Sequence, residues 1–283
     1  MRFSQPAADF YIPDGRPLAA ALARTTHLCI AAHQDDIEIM AYHGIAAGRA
    51  SSRCGFTGVV VTDGAGSPRT GRFAEYTDEK MKQVRRTEQR RAAKLGHYAA
   101  VIQLAHPSSV VKDASSPLVG TDLEALLQAM PRLQTAYLHN PADKHDTHVA
   151  VFLRSLAALR SRPKSRRPRE VYGCEVWRDL DWLVDADKRL LDASADPRLA
   201  ARLVGVFQSQ IAGGKRYDLA VAGRRLAHAT FHTSHATDAV SAITWGMDLA
   251  PLVQNERLSV EKFALAHVDR LRADIAARLR KFL

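Results

Sequence analysis

The sequence predicts an α/β fold in which helices flank a mostly parallel β-sheet. Short apolar runs of strand length alternate with amphipathic segments of helical length over the first 176 residues. This alternation is typical of βαβ units and of the parallel sheets that they build. Polar and ionisable residues follow directly after several apolar runs, where the carboxyl ends of parallel strands form binding sites. We therefore expect the site at that edge of the sheet.

The elements of this first part follow in order as strand and helix. His27-Leu28-Cys29-Ile30-Ala31-Ala32 is the first apolar run, and a helix is expected after it over 37–48. The further strands are expected at 58–62, 100–104, 135–138 and 170–176, and the further helices at 77–95, 122–130 and 147–159. Such runs, with little polar alternation, indicate strands covered on both faces, as in a Rossmann-like core over 1–176.

Beyond Trp177 the pattern becomes mainly helical, with segments at 197–210 and 217–225 and a long helix from Ser259. We expect 177–283 to complete the substrate pocket within the same domain. The last helix carries apolar residues at spacings of three and four: Ala264, Val268, Leu271, Ile275 and Leu279. Packing of this stripe on its own domain is favoured, and a homo-oligomer formed through it is the alternative.

Composition restricts the class of protein. With 283 residues and 46% hydrophobic content, the chain can bury a large core. Its three cysteines, Cys29, Cys54 and Cys174, are far apart and indicate reduced thiols. The first residues lack an apolar signal core, and no apolar run approaches the ~20 residues of a membrane span. These features predict a cytoplasmic protein without a membrane span.

The net charge of +10 allows a nucleic-acid-binding protein as an alternative from another class, in which the site would be vestigial. Much of the charge is local, because residues 160–169 hold six cations and two prolines in ten positions. We call residues 160–169 the basic segment and expect an exposed, solvated loop there. No aromatic residues alternate with its charges, so we expect no nucleic-acid partner.

Two clusters of ionisable residues follow predicted strands. His33-Gln34-Asp35-Asp36 comes directly after the first strand, and residues 139–148 after the fourth contain His139, His145 and His148 with Asp143 and Asp146. Ionisable groups at a buried strand end are costly unless a metal or a reaction uses them. The two clusters together therefore indicate a metal site.

These clusters resemble the PIG-L/LmbE-like family of zinc-dependent N-deacetylases, which remove acetyl groups from N-acetylglucosamine conjugates. The family has a His-x-Asp-Asp signature near its first strand and a His-x-x-His signature in the middle of the chain. The resemblance continues through residues 60–68, 85–88 and 92–96, and covers roughly the first 175 residues. The family usually has proline where this chain has Gln34, a position that is neither ligand nor base.

The resemblance implies the roles of the site residues. His33, Asp36 and His148 would hold one Zn²⁺ per chain, with other divalent metals possible, and leave a position open for water. Asp35 would be the general base, and His145 would stabilise the oxyanion or protonate the leaving amine. Either Asp143 or Asp146 could orient His145 through its other ring nitrogen.

Arg69, Asp143 and His228 are weaker candidates for substrate contact. The turn 63–67 is expected to form a pocket wall, and Arg69 beyond it is either a substrate contact or a solvated arginine. Arg85 and Glu88 lie one helical turn apart, which predicts an intrahelical ion pair rather than a catalytic role.

Three histidines lie late in the chain. His228, His232 and His235 occur at spacings of four and three. A structural role is favoured for them, and the alternatives are contact with the substrate pocket, by His228 in particular, or a second metal site. His43 is expected to pack within or on its helix.

The sequence thus predicts a cytoplasmic, zinc-dependent N-deacetylase acting on an N-acetylated amino-sugar conjugate. A non-haem iron(II) oxygenase is the enzymatic alternative, because two histidines and one carboxylate also form an iron(II) triad. The additional aspartate, Asp35, favours hydrolysis.

Overall fold

A computed structural model describes residues 1–283 and contains a single eight-stranded sheet. The strands are β1 (Asp9–Tyr11), β2 (His27–Ala31), β3 (Phe56–Thr62), β4 (Ala100–His106), β5 (Thr135–His139), β6 (Glu170–Cys174), β7 (Lys188–Asp192) and β8 (Ile243–Asp248). Their order is β1-β4-β3-β2-β5-β6-β8-β7. The five central strands, β4 to β6 in this order, are parallel, whereas β1, β7 and β8 pair antiparallel at the edges. The predicted α/β class with a mostly parallel sheet is confirmed.

Twelve helices surround the sheet. They are α1 (Leu18–Ala23), α2 (Asp36–Met40), α3 (Tyr42–Ala50), α4 (Asp78–Gly96), α5 (Ser108–Lys112), α6 (Leu118–Gln128), α7 (Asp146–Ser161), α8 (Pro197–Gly205), α9 (Gln208–Ile211), α10 (Tyr217–Phe231), α11 (Ala250–Gln254) and α12 (Val260–Leu279). Short 3-10 helices lie at Gly71–Phe73, Lys164–Arg166 and Asp185–Asp187. None of the helices combines the length and the apolar character needed to cross a bilayer.

Both faces of the sheet are covered by apolar packing. Buried hydrophobic residues form one cluster of 34 and another of 25. Consecutive residues of β2 alternate between them, with Leu28 and Ile30 in the first and Cys29 and Ala31 in the second. Because successive side chains of a strand point to opposite faces, the two clusters lie on the two faces. This explains why β2 reads as a continuous apolar run.

The strand order reverses direction at β2. From β2 the chain adds β3 and β4 on one side, and it then returns to add β5 and β6 on the other. A crevice opens at such a switch point, beyond the carboxyl ends of the two strands where the directions diverge. His33 follows β2, and His139 ends β5, so both histidine clusters lie at this crevice.

Two predicted helices are interrupted. The helix expected over 37–48 is divided into α2 and α3 at Ala41, whose φ of −120° and ψ of 26° are not helical. The helix expected over 197–210 ends at Gly205, and α9 begins only at Gln208. The break at Ala41 lets α2 remain a short element attached to the end of β2.

The expectation that 177–283 is mainly helical missed two strands. β8 pairs antiparallel with β6, and β7 pairs with β8, so this part of the chain extends the sheet. In β7 only Leu191 is buried, and the run begins with Lys188 and Arg189. An edge strand with one buried residue has no apolar alternation by which a sequence could identify it.

The basic segment is only in part the exposed loop that was expected, because three of its six cations are exposed and two are buried. Arg162 and Arg167 are each only 7% exposed. Arg162 donates hydrogen bonds to the carbonyls of Leu127 and of Met130 (3.1 Å), and Arg167 donates to the carbonyl of Val253 (2.9 Å). These carbonyls lie at the ends of α6 and α11, where helices leave oxygens without intrahelical partners. The two guanidinium groups therefore cap helix ends.

The apolar stripe of α12 does not pack on its own domain as favoured. His267 is the one buried residue of this helix, and only its first turns, with Val260 and Phe263, contact the core. Val268, Ile275 and Leu279 are 46%, 49% and 56% exposed. The helix extends beyond the surface that could cover it.

Candidate metal centre and active site

The turn after β2 holds its two aspartates in different orientations. Asp36 begins α2, and its Oδ2 accepts a hydrogen bond of 2.7 Å from the backbone N–H of His33. Asp35 has a φ of 94°, a conformation that non-glycine residues rarely adopt. Strained backbone of this kind is found preferentially at functional sites. The turn separates the two carboxylates, so that neighbours in sequence have different partners.

The loop after β5 positions the second cluster. Asn140 donates from Nδ2 to the carbonyl of Cys174 at 2.9 Å, which ties the loop to the end of β6. His145 lies directly before α7, and His148 lies in the first turn of that helix and is fully buried. The loop therefore brings His148 to the crevice opposite His33.

Three side chains from these turns converge on one point. His33 Nδ1 lies 3.1 Å from His148 Nε2 and 3.3 Å from Asp36 Oδ2. The third side of this triangle, from His148 Nε2 to Asp36 Oδ2, is 3.4 Å. Ligands of a tetrahedral zinc at about 2.0 to 2.1 Å from the metal are separated by about 3.3 to 3.4 Å. The predicted ligand set therefore fits a divalent metal without rearrangement.

His139 also lies beside Asp36, with Nε2 at 3.5 Å from Oδ2. Its Nε2 accepts a hydrogen bond of 2.9 Å from the backbone N–H of Ala32, which occupies the lone pair that a metal would need. The ring stacks on His148 at a centroid distance of 3.9 Å. This arrangement makes His139 a support of the neighbouring imidazole rather than a ligand. Sequence reasoning noted the residue but assigned it no role.

His145 borders the same point from the solvent side. Its ring stacks on that of His148 at 4.6 Å and meets His33 edge to face at 5.1 Å. His33, His145 and His148 could thus also form a ligand group, since their ring nitrogens lie within 4.8 Å of one another. The Nδ1 of His145 is buried without a hydrogen-bond partner. That free nitrogen distinguishes His145 from His148, whose two ring nitrogens are both engaged.

Asp143 contacts the imidazole ring of His148 and not the ring of His145. Its Oδ2 lies 3.2 Å from His148 Nδ1, and its Oδ1 accepts from the backbone N–H of His145 at 3.0 Å. A carboxylate on the far nitrogen of a ligating imidazole fixes its orientation and tautomer. Asp146 is exposed. Of the two aspartates, only Asp143 is placed to orient a ring of the site, and that ring belongs to His148.

Asp35 belongs to a buried ionic network that sequence reasoning missed. Arg85 of α4 lies 3.3 Å from Asp35 Oδ2 and also donates to the carbonyl of Gln34. Its other amino group lies 3.9 Å from Glu88, which accepts hydrogen bonds from Ser209 N (2.8 Å) and Oγ (2.5 Å). The predicted pair of Arg85 and Glu88 exists, but both residues are buried. Their i, i+3 spacing is typical of ion pairs on the surface of a helix, so it did not indicate that the two residues are buried beside Asp35.

Electrostatics set the two aspartates apart. Burial opposes ionisation of Asp36, but the facing imidazoles of His148 and His33 outweigh it and lower the pKa of this carboxyl. Burial raises the pKa of Asp35; Arg85 opposes that shift and the neighbouring charge of Asp36 adds to it. Groups with opposite shifts at one site are the usual arrangement of a ligand beside a proton acceptor.

The histidines are shifted as well. Burial and the neighbouring imidazole of His148 lower the pKa of His145, which keeps it neutral. For His148 burial lowers the pKa, but Asp36 and Asp143 outweigh this and raise it. Of these two imidazoles, His148 therefore binds a proton more tightly, because it contacts two carboxylates.

A polar cavity of about 260 Å³ opens over these groups. Gly64 and Ser67 of the turn after β3 form one wall, as predicted, and Arg85 and Lys112 also line it. Residues from the C-terminal part complete the wall: Trp177, Gln210 and Tyr217. The cavity therefore combines a ligand set, a carboxylate and an aromatic pair within reach of a small polar substrate.

None of the three candidates for substrate contact, Arg69, Asp143 and His228, lines this cavity. Arg69 donates to the carbonyl of Ala65 at 2.8 Å and pairs with Asp78 at 2.5 Å. His228 lies 3.4 Å from Glu175 and packs against the ring of Trp245 at 5.6 Å. His43 contacts the hydroxyl of Tyr137 at 2.8 Å, a packing role as expected. Arg69 makes these contacts because the tight turn brings its side chain back onto the loop.

Solved structures share this fold at low sequence identity. The N,N'-diacetylchitobiose deacetylase from Pyrococcus horikoshii is 15% identical over 79% of this chain and 84% of its own, with a TM-score of 0.59. The 4-carboxy-2-hydroxymuconate hydratase from Pseudomonas putida is 17% identical over 79% and 95%, with a TM-score of 0.57. A teicoplanin deacetylase in its zinc-inhibited form is 15% identical over 78% and 97%, with a TM-score of 0.51.

Sequence comparison identifies the central domain. No curated protein matches the chain. A family model described as PIG-L, GlcNAc-PI de-N-acetylase, matches residues 28–159, which include both histidine clusters and α4. Neither this match nor the structural neighbours support the iron oxygenase or the nucleic-acid-binding alternative. The chain therefore carries a PIG-L family domain, as the resemblance of its motifs predicts.

Proposed function

We propose that this protein is a metal-dependent hydrolase that removes the acetyl group from an N-acetylated amino-sugar conjugate of the N-acetylglucosaminyl type. The observation that carries the proposal is the triangle of His33, Asp36 and His148 within a PIG-L domain, with the carboxylate of Asp35 beside it. Two nitrogen donors and one oxygen donor are a suitable set for Zn²⁺ with an open position. We assign one Zn²⁺ per chain.

The residues divide the chemistry among them. A divalent metal, when bound, supplies Lewis acidity toward the acetyl carbonyl and the attacking water. Asp35, whose pKa burial raises, takes the proton of that water as general base. Arg85 holds the Asp35 carboxylate in place through a contact of 3.3 Å. Asp143 fixes the ring of His148 through Nδ1.

His145 acts on the carbonyl oxygen. A neutral imidazole can donate one hydrogen bond, and the lowered pKa of His145 keeps it in this form. From the cavity wall it stabilises the negative charge that develops on the oxygen when water adds. The same proton is available to the amine when the C–N bond breaks.

The C-terminal part, 177–283, completes the substrate pocket in this proposal. Trp177 and Tyr217 meet edge to face with ring centroids 6.3 Å apart at the cavity. Aromatic faces beside polar groups suit the apolar face and the hydroxyl groups of a sugar ring. We therefore place the sugar against these two residues and treat 1–176 and 177–283 as one functional unit.

Two further assignments complete the proposal. Cysteines that are all free, two of them buried, support a cytoplasmic location. The exposed stripe of α12 supports a homo-oligomer formed through this helix. A polar cavity with few cations supports a small-molecule substrate and no nucleic-acid partner.

The activity is tested by measuring primary amine and acetate released from a panel of N-acetylglucosamine conjugates. The protein is loaded with one equivalent of metal, because a related teicoplanin deacetylase has a zinc-inhibited form. Asp35→Asn is expected to lower turnover by about a hundredfold or more, the scale for loss of a general base. Asp146→Asn is the matched control, since this carboxylate is exposed, and should retain full activity.

If the wild-type protein releases neither amine nor acetate from any conjugate of the panel, the proposed deacetylase activity is refuted. In that case water addition to an unsaturated acid is the next reaction to assay, because the Pseudomonas putida neighbour is a hydratase.

The ligand set is tested by metal content after gel filtration. His148→Ala should lose most of its bound zinc, whereas His145→Ala should keep it and lose activity. Equal zinc loss in both variants would instead assign the metal to His33, His145 and His148.

A further inference from the structure

A second cavity lies between α8 and α10, outside the candidate active site. It encloses about 310 Å³, and none of its lining residues lines the cavity over the metal centre. Its walls are mostly aliphatic, with Pro197, Ala200 and Val204 from α8 and Val221 and Leu226 from α10. A small, mainly apolar cavity with few polar groups is the usual form of a small-molecule site.

Of the polar residues that line this cavity, Asp218, Arg225 and Ser241, only Arg225 is buried, with 5% of its surface exposed. Its Nη2 donates to the carbonyls of Glu38 and Ile39, each at 2.9 Å, and its Nε donates to Thr244 Oγ1 at 3.3 Å. The Nη1 amino group donates no hydrogen bond to the protein. Two of the three nitrogens therefore fix the orientation, and the third has no protein partner.

Arg225 has no counter-ion in the protein. No carboxylate lies within ion-pair distance of it. Asp218 also lines the cavity, but Arg216 binds its two oxygens at 2.9 and 2.8 Å. Burial lowers the pKa of Arg225 to about 10, so the group is still charged at neutral pH. A buried charge without an opposite charge is unfavourable, and an anion beside Nη1 would relieve this.

We propose that this cavity binds a small aliphatic monocarboxylate, whose carboxylate pairs with Arg225 and whose chain fills the apolar space between α8 and α10. The charge of Arg225 excludes cationic ligands, and the aliphatic walls disfavour strongly hydrated inorganic anions. A ligand with one anionic end and an alkyl chain satisfies both parts of the cavity. This inference is independent of the reaction at the metal centre.

The test is calorimetric titration of the metal-loaded protein with butanoate, hexanoate, hexan-1-ol and hexylammonium. Each buried methylene should strengthen binding about fourfold, so hexanoate should bind roughly tenfold or more tighter than butanoate. The alcohol and the ammonium compound, which cannot pair with Arg225, should bind at least about tenfold more weakly than hexanoate.

Carboxylates can also bind a metal, so a variant must separate the two sites. Ala222 is exposed on α10 and lines the cavity, and Ala222→Phe places a ring in the space of the alkyl chain. Its matched control is Ala220→Phe, on the same helix and exposed but outside the cavity. Hexanoate affinity should fall at least about tenfold in Ala222→Phe and stay within about twofold in Ala220→Phe.

Three results would overturn the proposal. They are unchanged hexanoate affinity in Ala222→Phe, affinity independent of chain length, or hexylammonium binding as tightly as hexanoate. The cavity-filling variant leads the test because Arg225 also holds two carbonyls of α2, so its replacement risks the fold. Arg225→Met, where it folds, should lose hexanoate binding to the same extent as Ala222→Phe.

Discussion

The metal centre and the basic segment both bury charged side chains, but they use them in different ways. At the metal centre His33, Asp36 and His148 face one another across 3.1 to 3.4 Å, and a cavity opens over them. In the basic segment Arg162 and Arg167 face backbone carbonyls at helix ends. One region directs its polar groups toward an open space, and the other directs them toward the protein itself.

This difference separates functional from structural burial of charge. A buried group whose hydrogen-bonding capacity is met by backbone contributes to the free energy of unfolding. A buried group that retains free capacity beside a cavity is available to a ligand, at some expense in stability. Charge density alone does not distinguish the two kinds of buried charge, because the basic segment has more charges than the metal centre. They differ in whether the polar groups face backbone atoms of the protein or an open cavity.

Arg85 combines both uses and should show the largest effect. Arg85→Met leaves Asp35 and Glu88 without their cation and the carbonyl of Gln34 without its donor. Breaking a buried ion pair from one side costs about 3 to 5 kcal/mol, so the free energy of unfolding in urea should fall by that amount. Turnover of the folded fraction should fall at least about tenfold, because Asp35 loses its support.

Arg86→Met is the control for this change. Arg86 is the neighbouring residue on α4; it is half-buried, and its side chain donates only to the carbonyl of Ala7. Its loss should change the free energy of unfolding by no more than about 0.5 kcal/mol. An Arg85→Met protein that is as stable as this control would show that the network does not hold α4 to the turn after β2.

Arg162 should affect stability alone. Arg162→Met leaves the carbonyls of Leu127 and Met130 unsatisfied, and we expect the free energy of unfolding to fall by about 2 to 3 kcal/mol. Arg166→Met is the control, because Arg166 lies in the same segment but is exposed; its free energy of unfolding should be within about 0.5 kcal/mol of that of the wild type. Urea titration measures both, and amine release per folded molecule should be unchanged. Loss of activity at full stability in Arg162→Met would break the contrast between the two regions.

The sequence indicated which side chains converge at the end of β2 because the signals for that convergence are local. His33 and Asp36 are three residues apart after a continuous apolar run, and that spacing alone brings them together at a strand end. His148 required the second cluster and the parallel arrangement of β2 and β5, both of which the apolar runs indicate. The motif resemblance then supplied the distinction between Asp35 and Asp36, which spacing does not.

The missed features depend on contacts between distant parts of the chain. Arg85 has the spacing of a surface pair with Glu88, and its burial follows only from the packing of α4 against the turn after β2 and against Ser209. The basic segment has the composition of an exposed loop, and only the positions of α6 and α11 provide carbonyls for its arginines. Neither partner set can be identified from neighbouring residues, since the partners are some 30 to 125 positions away.

Glu175 is a buried charge of the structural kind, and it should make stability depend on pH. Its carboxylate accepts backbone hydrogen bonds from Leu180 (2.7 Å) and Trp245 (2.8 Å), yet burial raises its pKa to about 7 from the ordinary glutamate value of 4.5. The folded protein therefore binds this proton more tightly than the unfolded chain. The stabilisation is complete below about pH 4.5 and is lost as the pH rises to about 7.

Glu175→Gln isolates that dependence. The difference in free energy of unfolding between wild type and variant should change by roughly 3 kcal/mol between pH 4.5 and pH 8, with wild type relatively more stable at the acidic end. Urea titrations at several pH values provide the measurement. A constant difference across this range would mean that the carboxyl is ionised throughout and that its backbone donors outweigh burial.

Arg69 should show the smallest effect, although it lies beside the site in sequence and carries a charge suited to a substrate. Its Nη2 donates to the carbonyl of Ala65 and pairs with the exposed carboxylate of Asp78, and the side chain does not line the cavity, so its charge is directed away from a substrate. Arg69→Gln should leave KM and kcat within about twofold of the wild-type values and the free energy of unfolding within about 0.5 kcal/mol, the range of exposed ion pairs.

Lys112→Gln is the informative comparison, because Lys112 forms no ion pair and lines the cavity. Its loss should raise KM for any conjugate with an anionic substituent. If Arg69→Gln raised KM more than Lys112→Gln, partnered cations would also recognise substrate here, and the direction of donors would no longer separate the two kinds of buried charge.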